Sequence, residues 1–218
     1  FTLNDKNEFS VLLIKRGGYP YKDKWAIPGG FANMDESIDE TAARELKEET
    51  NIDNLPISQI GTFGDVGRDP RMRVISVAYM AFVPRSSLNF VAGDDAQDAD
   101  IFRIDIDDND FITLVGVKVT ITENDLAFDH NKVIRTAIER LRNRIDYTND
   151  AFRFLKDDQS FTIHELKKIY ENVKYEKLDT PNFRRDFIRE YVKTGKVVLT
   201  GSKAKSGGRD AATYRLVS

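Results

Sequence analysis

The 218-residue chain contains no cysteine, so disulfide bonds and thiolate-ligated metal sites are excluded. No apolar run reaches the roughly 18 residues that a membrane-spanning helix requires. The first residues do not show the basic-then-apolar pattern of a secretion signal. Internal repeats and low-complexity tracts are also absent. These absences favour a globular cytoplasmic protein, and the length allows one large domain or two smaller ones.

Charge is distributed unevenly along the chain. Hydrophobic residues make up 40% of the sequence and charged residues 32%, which is typical of a globular protein with a real core. Residues 161–218 carry 13 Lys and Arg against 7 Asp and Glu, whereas residues 1–160 carry 20 against 29. We therefore expect the two ends to have different partners.

The first part of the chain alternates β-favouring runs with one acidic helix. The segment "FTL" before "NDKN" reads as the end of a strand entering a hairpin, so we expect part of the first strand to precede Phe1. The runs "FSVLLIKRG", "RVISVAYMAFV" (73–83) and "LVGVKVTITEN" predict strands. The Asp-rich "GDDAQDADIFRIDIDDND" predicts a loop and an edge strand, and a helix is expected over about 35–49.

Helical spacing of apolar residues predicts a longer helix over 131–147, packed on the first domain. The character of the sequence then changes, and we place a domain boundary near 147–150. The first domain is thus predicted to be 1–147 and the second 148–218. Within the second, short helices are expected at 148–156, 164–175 and 180–194, followed by two strands flanking "GSKAKSGGRD".

The stretch "PGGFANMDESIDETAARELKEETNI" (28–52) places like charges one helical turn apart. Glu45, Glu48 and Glu49 should repel by roughly 0.2 to 0.5 kcal/mol per pair. A divalent cation such as Mg²⁺, which prefers carboxylate oxygens, would offset this cost. Arg44 lies four residues from both Glu48 and Glu40 and can hold a carboxylate in place. The alternative is a solvated helix face with ordinary ion pairs.

The spacing decides between these interpretations, because the stretch resembles the Nudix box, G-x5-E-x7-R-E-U-x-E-E-x-G-U, where U is a bulky aliphatic residue. The matching positions are Gly30, Glu36, Arg44, Glu45, Leu46, Glu48, Glu49 and Ile52. One fixed position departs, since Asn51 stands where the family has glycine. Asn is the best non-glycine residue for the left-handed conformation common after a helix end, so the departure should spare the metal site.

The resemblance implies an α/β/α sandwich with a mixed sheet and hydrolysis of a nucleoside diphosphate linked to another moiety. It also implies a Mg²⁺ or Mn²⁺ cofactor bound by Glu45, Glu48, Glu49 and the Gly30 carbonyl, with Arg44 orienting a glutamate and Glu36 supporting it. The catalytic set is then Glu36, Arg44 and Glu48. The box does not fix the general base, and the candidates are Glu123, Asp125, Asp129 and His130. For each of these, an ordinary loop residue or a helix cap is the alternative.

A second motif, "GDVGRDPRMRVISVAY", holds four arginines in a short window. It resembles the corresponding region of ADP-ribose pyrophosphatase-like Nudix proteins, which implies that Arg68, Arg71 and Arg73 face a bisphosphate ligand. The alternative is a hairpin with arginines on its surface.

The C-terminal segment is typical of a winged helix-turn-helix. Leu166, Ile169, Tyr170 and Val173 face inward on its first helix, and Phe183, Phe187, Ile188 and Tyr191 on the second. The outward residues would contact DNA from the second helix and from the tip of the wing, and they are Asn182, Arg184, Arg185, Arg189, Lys203, Lys205 and Arg209. The alternative is a small basic packing domain.

Together the two halves resemble the Nudix-related transcriptional regulators (NrtR-like). This resemblance implies a regulator of NAD or sugar metabolism that responds to ADP-ribose or a related nucleotide and binds a double-stranded DNA operator. A homodimer is expected, since a palindrome is read with two-fold symmetry. Three interpretations stay open: a regulator that also hydrolyses its ligand, a non-hydrolysing sensor, and a hydrolase with an accessory C-terminal domain.

Overall fold

The computed structural model describes residues 1–50, 52, 55–88, 96–206 and 209–217, and at positions 49, 50, 87, 96, 97, 206 and 209 it describes the backbone alone. The predicted roles of the Glu49 and Arg209 side chains and of Asn51 therefore lie outside the described residues. The chain forms two compact units, Phe1–Arg140 and Leu141–Ser218. The predicted boundary near 147–150 stays a prediction.

The first unit is built on a six-stranded sheet with the order β1-β2-β6-β7-β8, in which β3 also pairs with β2. All of these ladders are antiparallel, and one isolated parallel bridge joins Trp25 to Leu126. The strands are β1 (Thr2–Leu3), β2 (Phe9–Arg16), β3 (Trp25–Ala26), β6 (Ala96–Ile106), β7 (Ile112–Val115) and β8 (Thr120–Thr122). Two further strands, β4 (Ile57–Phe63) and β5 (Ser76–Ala81), form a separate antiparallel pair.

Two helices complete this unit, and both use apolar stripes. Helix α1 (Ile38–Thr50) begins at a reciprocal cap, in which the Ser37 amide donates to Glu40 and the Glu40 amide donates to the Ser37 hydroxyl. Leu46 of α1 packs on the core cluster that contains Leu12 and Ile101. Because Leu46 faces the core, the charged side chains of α1 lie on the other faces of the helix.

Helix α2 (His130–Arg144) begins in the first unit and ends in the second. Its predicted apolar stripe is confirmed, because the following side chains are buried: Val133, Ile134, Ala137, Ile138 and Leu141, with Ile145 just beyond the helix. The helix ends at Arg144 and not at 147, and the next residues form turns.

The second unit contains α3 (Ile163–Lys174), α4 (Thr180–Phe187) and a three-stranded antiparallel sheet with the order β10-β11-β9. The strands are β9 (Phe161–Thr162), β10 (Val197–Ser206) and β11 (Arg209–Leu216). A capping box between Thr162 and Glu165 starts α3, and the Asp179 side chain caps α4 with a proline in its first turn. Helical structure continues beyond α4 as a π-helical segment, Ile188–Val192.

The connection between α3 and α4 is held by a buried carboxylate. Glu171 accepts from the Lys167 ammonium at 2.6 Å and from the Leu178 amide at 3.1 Å. Burial alone would raise the pKa of Glu171, but these hydrogen bonds outweigh it and lower the pKa to about 2. The inward residues predicted for α3 are all buried, and Phe187 and Tyr191 are buried on the following segment.

Three expectations from the sequence are wrong in detail. Strand β6 is not an edge strand, because it pairs with β2 on one side and β7 on the other; its alternating aspartates concealed the buried Phe102 and Ile104. The single strand expected over "LVGVKVTITEN" is two strands, since a turn at Gly116 reverses the chain. The helix expected at 148–156 is a short 3₁₀ segment, Asp150–Phe154.

Among the residues that the structure describes, no helix has the length and apolar character needed to cross a membrane.

Candidate functional site

Arg44 connects the acidic side chains of the Nudix-like stretch. Its Nε and Nη2 donate to the two oxygens of Glu36 at 2.9 and 2.6 Å, and its Nη1 donates to Glu45 at 2.7 Å and to Glu48 at 3.0 Å. Hydrogen bonds from Arg44, with further ones from the Asn33 amide and Thr41, lower the pKa of Glu36 to about 2. Three carboxylates therefore share one cation. Glu40, the other glutamate that lies four residues from Arg44, accepts from the Ser37 amide and caps α1.

Gly30 lies close to the end of the Glu45 side chain. A Cβ added to Gly30 would overlap the Glu45 carboxylate, so a larger residue there would displace that carboxylate from its contact with Arg44. The absence of a side chain therefore keeps the backbone of the loop close to the Glu45 oxygens.

Carboxylate oxygens together with a backbone carbonyl are the donors that Mg²⁺ prefers, so Gly30, Glu45 and Glu48 fit such an ion chemically. Within the described part of the chain, no three acidic or imidazole side chains are grouped so that they could hold a metal. The third predicted carboxylate, Glu49, has no described side chain. The metal site is thus a prediction supported by the donor set.

Each of the three predicted ligand arginines is engaged within the protein. Arg68 donates from Nε and Nη2 to Asp129 at 2.9 and 2.6 Å and from Nη1 to Ser76 at 2.6 Å. Arg71 donates to both oxygens of Asp69 at 3.0 and 2.7 Å. Arg73 donates to the carbonyls of Gly64 and Asp65. Arg71 and Arg73 are exposed, whereas the Arg68 side chain is only 5% exposed.

The four candidates for the general base all hold structural positions. Glu123 is buried and accepts from Arg135 at 2.6 and 2.5 Å. Asp125 caps a 3₁₀ turn by accepting from the amide and hydroxyl of Thr122. Asp129 is paired with Arg68 as described above.

A backbone amide that directly follows β3 holds the His130 side chain. Its Nδ1 accepts from the Ile27 amide at 3.0 Å, and burial lowers its pKa to about 4. The imidazole is therefore neutral near pH 7. The assignment of a base among these four residues stays a prediction, and their contacts match the alternative of loop and cap roles.

The second unit presents a basic surface along α4. The four outward residues predicted from the sequence are all exposed: Asn182, Arg184 and Arg185 on α4, and Arg189 on the π-helical segment that follows. An open groove on this surface is lined by Pro181, Arg184, Arg185, Ile188, Arg189 and Lys193. Asp186 lies 3.6 Å from Arg185 and 2.8 Å from Arg189, so part of the positive charge is offset within the surface.

The wing differs from the sequence expectation in one respect. Lys203 and Lys205 are exposed, but they lie within β10 and pair with Ala212 and Asp210 of β11, and are not at the tip of the hairpin. Strand β10 ends at Ser206 and β11 begins at Arg209. In the sequence only the glycines at 207 and 208 separate the two strands, and these glycines lie outside the described residues. The basic residues therefore extend along the strand.

Sequence reasoning missed a group of aromatic residues around Arg71. The Arg71 guanidinium lies 5.6 Å from the centre of the Phe31 ring and 5.9 Å from that of Phe128. Phe31 and Phe128 are about a hundred positions apart, so no periodic pattern in the sequence connects them. The single local signal is that Phe31 directly follows the glycine pair of the Nudix-like stretch.

Comparison with known protein families accounts for both units. Residues 1–113 match the NUDIX domain, and residues 151–216 match the NrtR DNA-binding winged helix domain. The chain belongs to the Nudix family. The predicted fold class, a Nudix fold followed by a C-terminal winged helix, is confirmed.

Two similar proteins match this chain over nearly its whole length. The ADPR responsive transcriptional repressor NtrR of Acinetobacter baylyi is 32% identical over 213 residues, covering 97% of this chain and 77% of the repressor. The structure of Shewanella oneidensis NrtR complexed with a 27mer DNA matches with a TM-score of 0.75 and 27% identity, over 100% of this chain and 90% of that one. The Nudix part alone is 38% identical to the ADP-ribose pyrophosphatase of Methanocaldococcus jannaschii over 125 residues, 57% of this chain and 63% of that enzyme.

Proposed function

We propose that this Nudix protein is a DNA-binding transcriptional regulator that responds to ADP-ribose or a closely related nucleoside diphosphate derivative. The observation that carries the proposal is an exposed basic face, with Arg184 and Arg185 on α4 and Arg189 on the π-helical segment that follows, in a unit that matches a DNA-binding winged helix domain. Likeness to a repressor over 97% of the chain supports the same function.

In this proposal α4 is the recognition helix and enters the major groove of an operator. Arg184, Arg185 and Arg189 are the candidates for base or phosphate contacts, and Lys203 and Lys205 on β10 contact the phosphate backbone. Arginine can donate two hydrogen bonds to guanine, so its presence on the helix suits sequence recognition, whereas the lysines suit positioning. Arg189 forms exposed ion pairs with Asp186 at 2.8 Å and Glu190 at 2.7 Å, which contact with DNA would replace.

The ligand class is proposed from the Nudix unit. The relatives are described as an ADPR responsive repressor and as an ADP-ribose pyrophosphatase, which makes ADP-ribose the first nucleotide to test. Regulation of NAD or sugar metabolism, and a cytoplasmic location, are part of the same proposal.

Hydrolysis of the ligand is a second candidate function, and the Arg44 network favours it. Arg44 holds Glu36, Glu45 and Glu48 together, which is the arrangement expected if these carboxylates must keep fixed rotamers for a metal. A bound Mg²⁺ or Mn²⁺ would neutralise pyrophosphate charge and lower the pKa of an attacking water. Glu45, Glu48 and the Gly30 carbonyl are the described groups proposed to hold it, together with Glu49.

A homodimer is the proposed assembly, because a winged helix-turn-helix protein that reads a palindrome places two recognition helices at equivalent half-sites. Light scattering at micromolar protein concentration, with and without operator DNA, measures the mass of the assembly. A strictly monomeric mass in both samples would contradict this assembly.

Two assays separate the candidate functions. A gel-shift assay with the promoter of the protein's own operon tests DNA binding, and addition of ADP-ribose in EDTA tests the response without turnover. In parallel, ADP-ribose with Mg²⁺ tests hydrolysis, for which Glu48→Gln should abolish turnover and Glu139→Gln, another exposed helical glutamate, should not. A retarded band that ADP-ribose changes supports the regulator, and a protein that binds no promoter DNA contradicts it.

A further inference from the structure

Ile188 is an apolar residue within the basic surface of the second unit. It lines the open groove of that surface, and the other lining residues are Pro181, Arg184, Arg185, Arg189 and Lys193. The sequence predicts Ile188 on the inward face of its helix, but the residue is only half-buried. An apolar side chain gains nothing from contact with a phosphate, so the groove offers a second kind of contact beside its charges.

Aromatic rings make the core contacts on the inward face of this segment. Phe187 and Tyr191 are 2% and 8% exposed, and their ring centres are 5.7 Å apart. Phe187 also packs edge-on against the Tyr214 ring of β11, with the ring centres 5.1 Å apart. Ile188 directly follows Phe187 and lies at the border of this core, so part of its side chain faces the groove.

The π-helical segment brings Lys193 into the same groove as Ile188. The Lys193 amide donates to the Ile188 carbonyl at 2.9 Å, five positions back, so this turn holds one residue more than an α-helical turn. In an uninterrupted α-helix of about 3.6 residues per turn, Lys193 would lie about two and a half turns from Arg184, on the opposite side. Both residues instead line the groove with Ile188. Extra residues of this kind are frequent at functional sites.

Cations surround Ile188 in the groove. The exposed ones are Arg184, Arg185, Arg189 and Lys193. Two carboxylates, Asp186 and Glu190, pair with some of these cations, so the local charge remains positive. A partner that fits this groove must therefore carry negative charge along its edges and present an apolar group toward Ile188.

The major groove of double-stranded DNA combines these two features. Phosphates run along both of its edges, and the base pairs on its floor display hydrogen-bond donors and acceptors. Among the groups that distinguish one base pair from another there, the apolar one is the 5-methyl group of thymine. An apolar side chain among cations on a recognition helix therefore matches a thymine, with the cations beside it on phosphates or on other bases.

We propose that Ile188 contacts the 5-methyl group of a thymine and is a specificity-determining residue for DNA. The inference rests on the proposed function and makes it more specific, because the operator must then carry a thymine at the position that faces Ile188. Lys193, which the π-helical turn brings to the same groove, contacts a phosphate nearby and carries no sequence information.

The test replaces thymine with deoxyuridine, which pairs in the same way and lacks only the methyl group. The probe is a labelled duplex of the segment that the full-length protein protects from nuclease in the promoter of its own operon, and each thymine is replaced in turn. Fluorescence anisotropy without ADP-ribose measures the affinity. For the wild type, at least one replacement should weaken binding about fourfold, the value of burying one methyl group.

Four variants assign the response to one side chain. Ile188→Ala should bind the unmodified duplex more weakly and should no longer respond to the replacement, whereas Ile188→Val, which keeps two methyl groups, should still respond. Lys193→Gln should weaken binding of the thymine and deoxyuridine duplexes by the same factor. Val117→Ala, at a residue of the first unit that is 88% exposed, should change neither affinity. The replacement in the DNA is made against wild-type protein, so a folding defect in a variant cannot produce the response.

Wild-type protein that binds the promoter segment with equal affinity after every replacement would overturn the thymine contact and leave the proposed function standing. A response that persists undiminished in Ile188→Ala would overturn it too, since another residue would then contact the methyl group. If the wild type binds no promoter DNA, the proposed function and the thymine contact both fail.

Discussion

Arg68 donates two hydrogen bonds to the Asp129 carboxylate, at 2.9 and 2.6 Å, and the two side chains are 5% and 11% exposed. This buried ion pair joins the arginine-rich segment after β4 to the start of α2. Arg68, which the sequence predicts to face a bisphosphate ligand, makes this structural contact, and its role toward a ligand stays a prediction.

Arg68→Met should therefore destabilise the first unit. The substitution leaves Asp129 buried without its partner, and breaking a buried pair in this way costs about 3 to 5 kcal/mol. Urea denaturation measures the loss. Arg140→Met, at an exposed position of α2, is the control and should change the free energy of unfolding by no more than about 0.5 kcal/mol. Equal stability of the two variants would contradict a stabilising role for the Arg68–Asp129 pair.

The partly buried imidazole of His130 should make stability depend on pH. Burial lowers its pKa to about 4 in the folded protein, below the ordinary value of 6.5. Between pH 6.5 and 4 the unfolded chain binds a proton that the folded chain does not, so stability should fall as pH falls through this window. His130→Gln should reduce that slope.

NMR measures the same quantity directly, since the chain has two histidines and a His164→Gln variant leaves the His130 signal alone. A His130 imidazole that titrates near pH 6.5 in the folded protein would contradict its burial and its acceptance of the Ile27 amide hydrogen bond.

Arg44→Lys should test the positioning of the carboxylates. Lysine keeps the charge but cannot donate from one planar group to Glu36, Glu45 and Glu48 together. Where the wild type hydrolyses ADP-ribose with Mg²⁺, the variant should lose about 10- to 100-fold in kcat/KM, the usual cost of removing a group that orients metal ligands. Lys47→Arg, on the same helix, is the control. Undiminished turnover in Arg44→Lys would show that the network does not orient the site.

Arg185→Ala should weaken operator binding and lower the slope of log K against log salt by about one, the effect of one phosphate contact. Fluorescence anisotropy at several salt concentrations measures both. Lys118→Ala removes the same charge from an exposed position of the first unit and should leave the slope unchanged. A slope that is identical in the two variants would place Arg185 away from the DNA backbone.

The sequence predicted the parts of the fold that depend on local patterns. The apolar stripe of α2 and the inward residues of α3 follow a helical period and are buried as expected. The Nudix spacing predicted that Arg44 would hold a glutamate, although its bidentate partner is Glu36, eight positions away. That partner depends on how the loop before α1 folds back, which spacing within one helix does not encode.

Long-range relationships were the ones that sequence could not supply. The central position of β6 depends on which strands pair, and its aspartates disguised a buried strand. The contacts of Arg68 with Asp129 and of Arg71 with Phe31 and Phe128 join distant segments, so the local pattern around each arginine did not predict them. Tertiary partners, and not local propensity, decide whether such a charge serves structure or binding.

Helix α2 offers a physical route between the two proposed activities, because one helix makes contacts within both units. It begins beside Asp129 and His130 in the Nudix unit, and in the second unit Arg142 donates to the Val173 carbonyl at 3.0 Å. A ligand can shift DNA affinity only if it binds the DNA-competent and incompetent arrangements unequally. We expect a coupling of about 1 to 3 kcal/mol.

The most direct test is anisotropy of a labelled operator titrated with ADP-ribose in EDTA, so that no hydrolysis occurs. We expect saturating ADP-ribose to change operator affinity by about 5- to 150-fold. An operator affinity that stays constant over saturating ADP-ribose would contradict the central claim and leave only a Nudix protein with a separate DNA-binding unit.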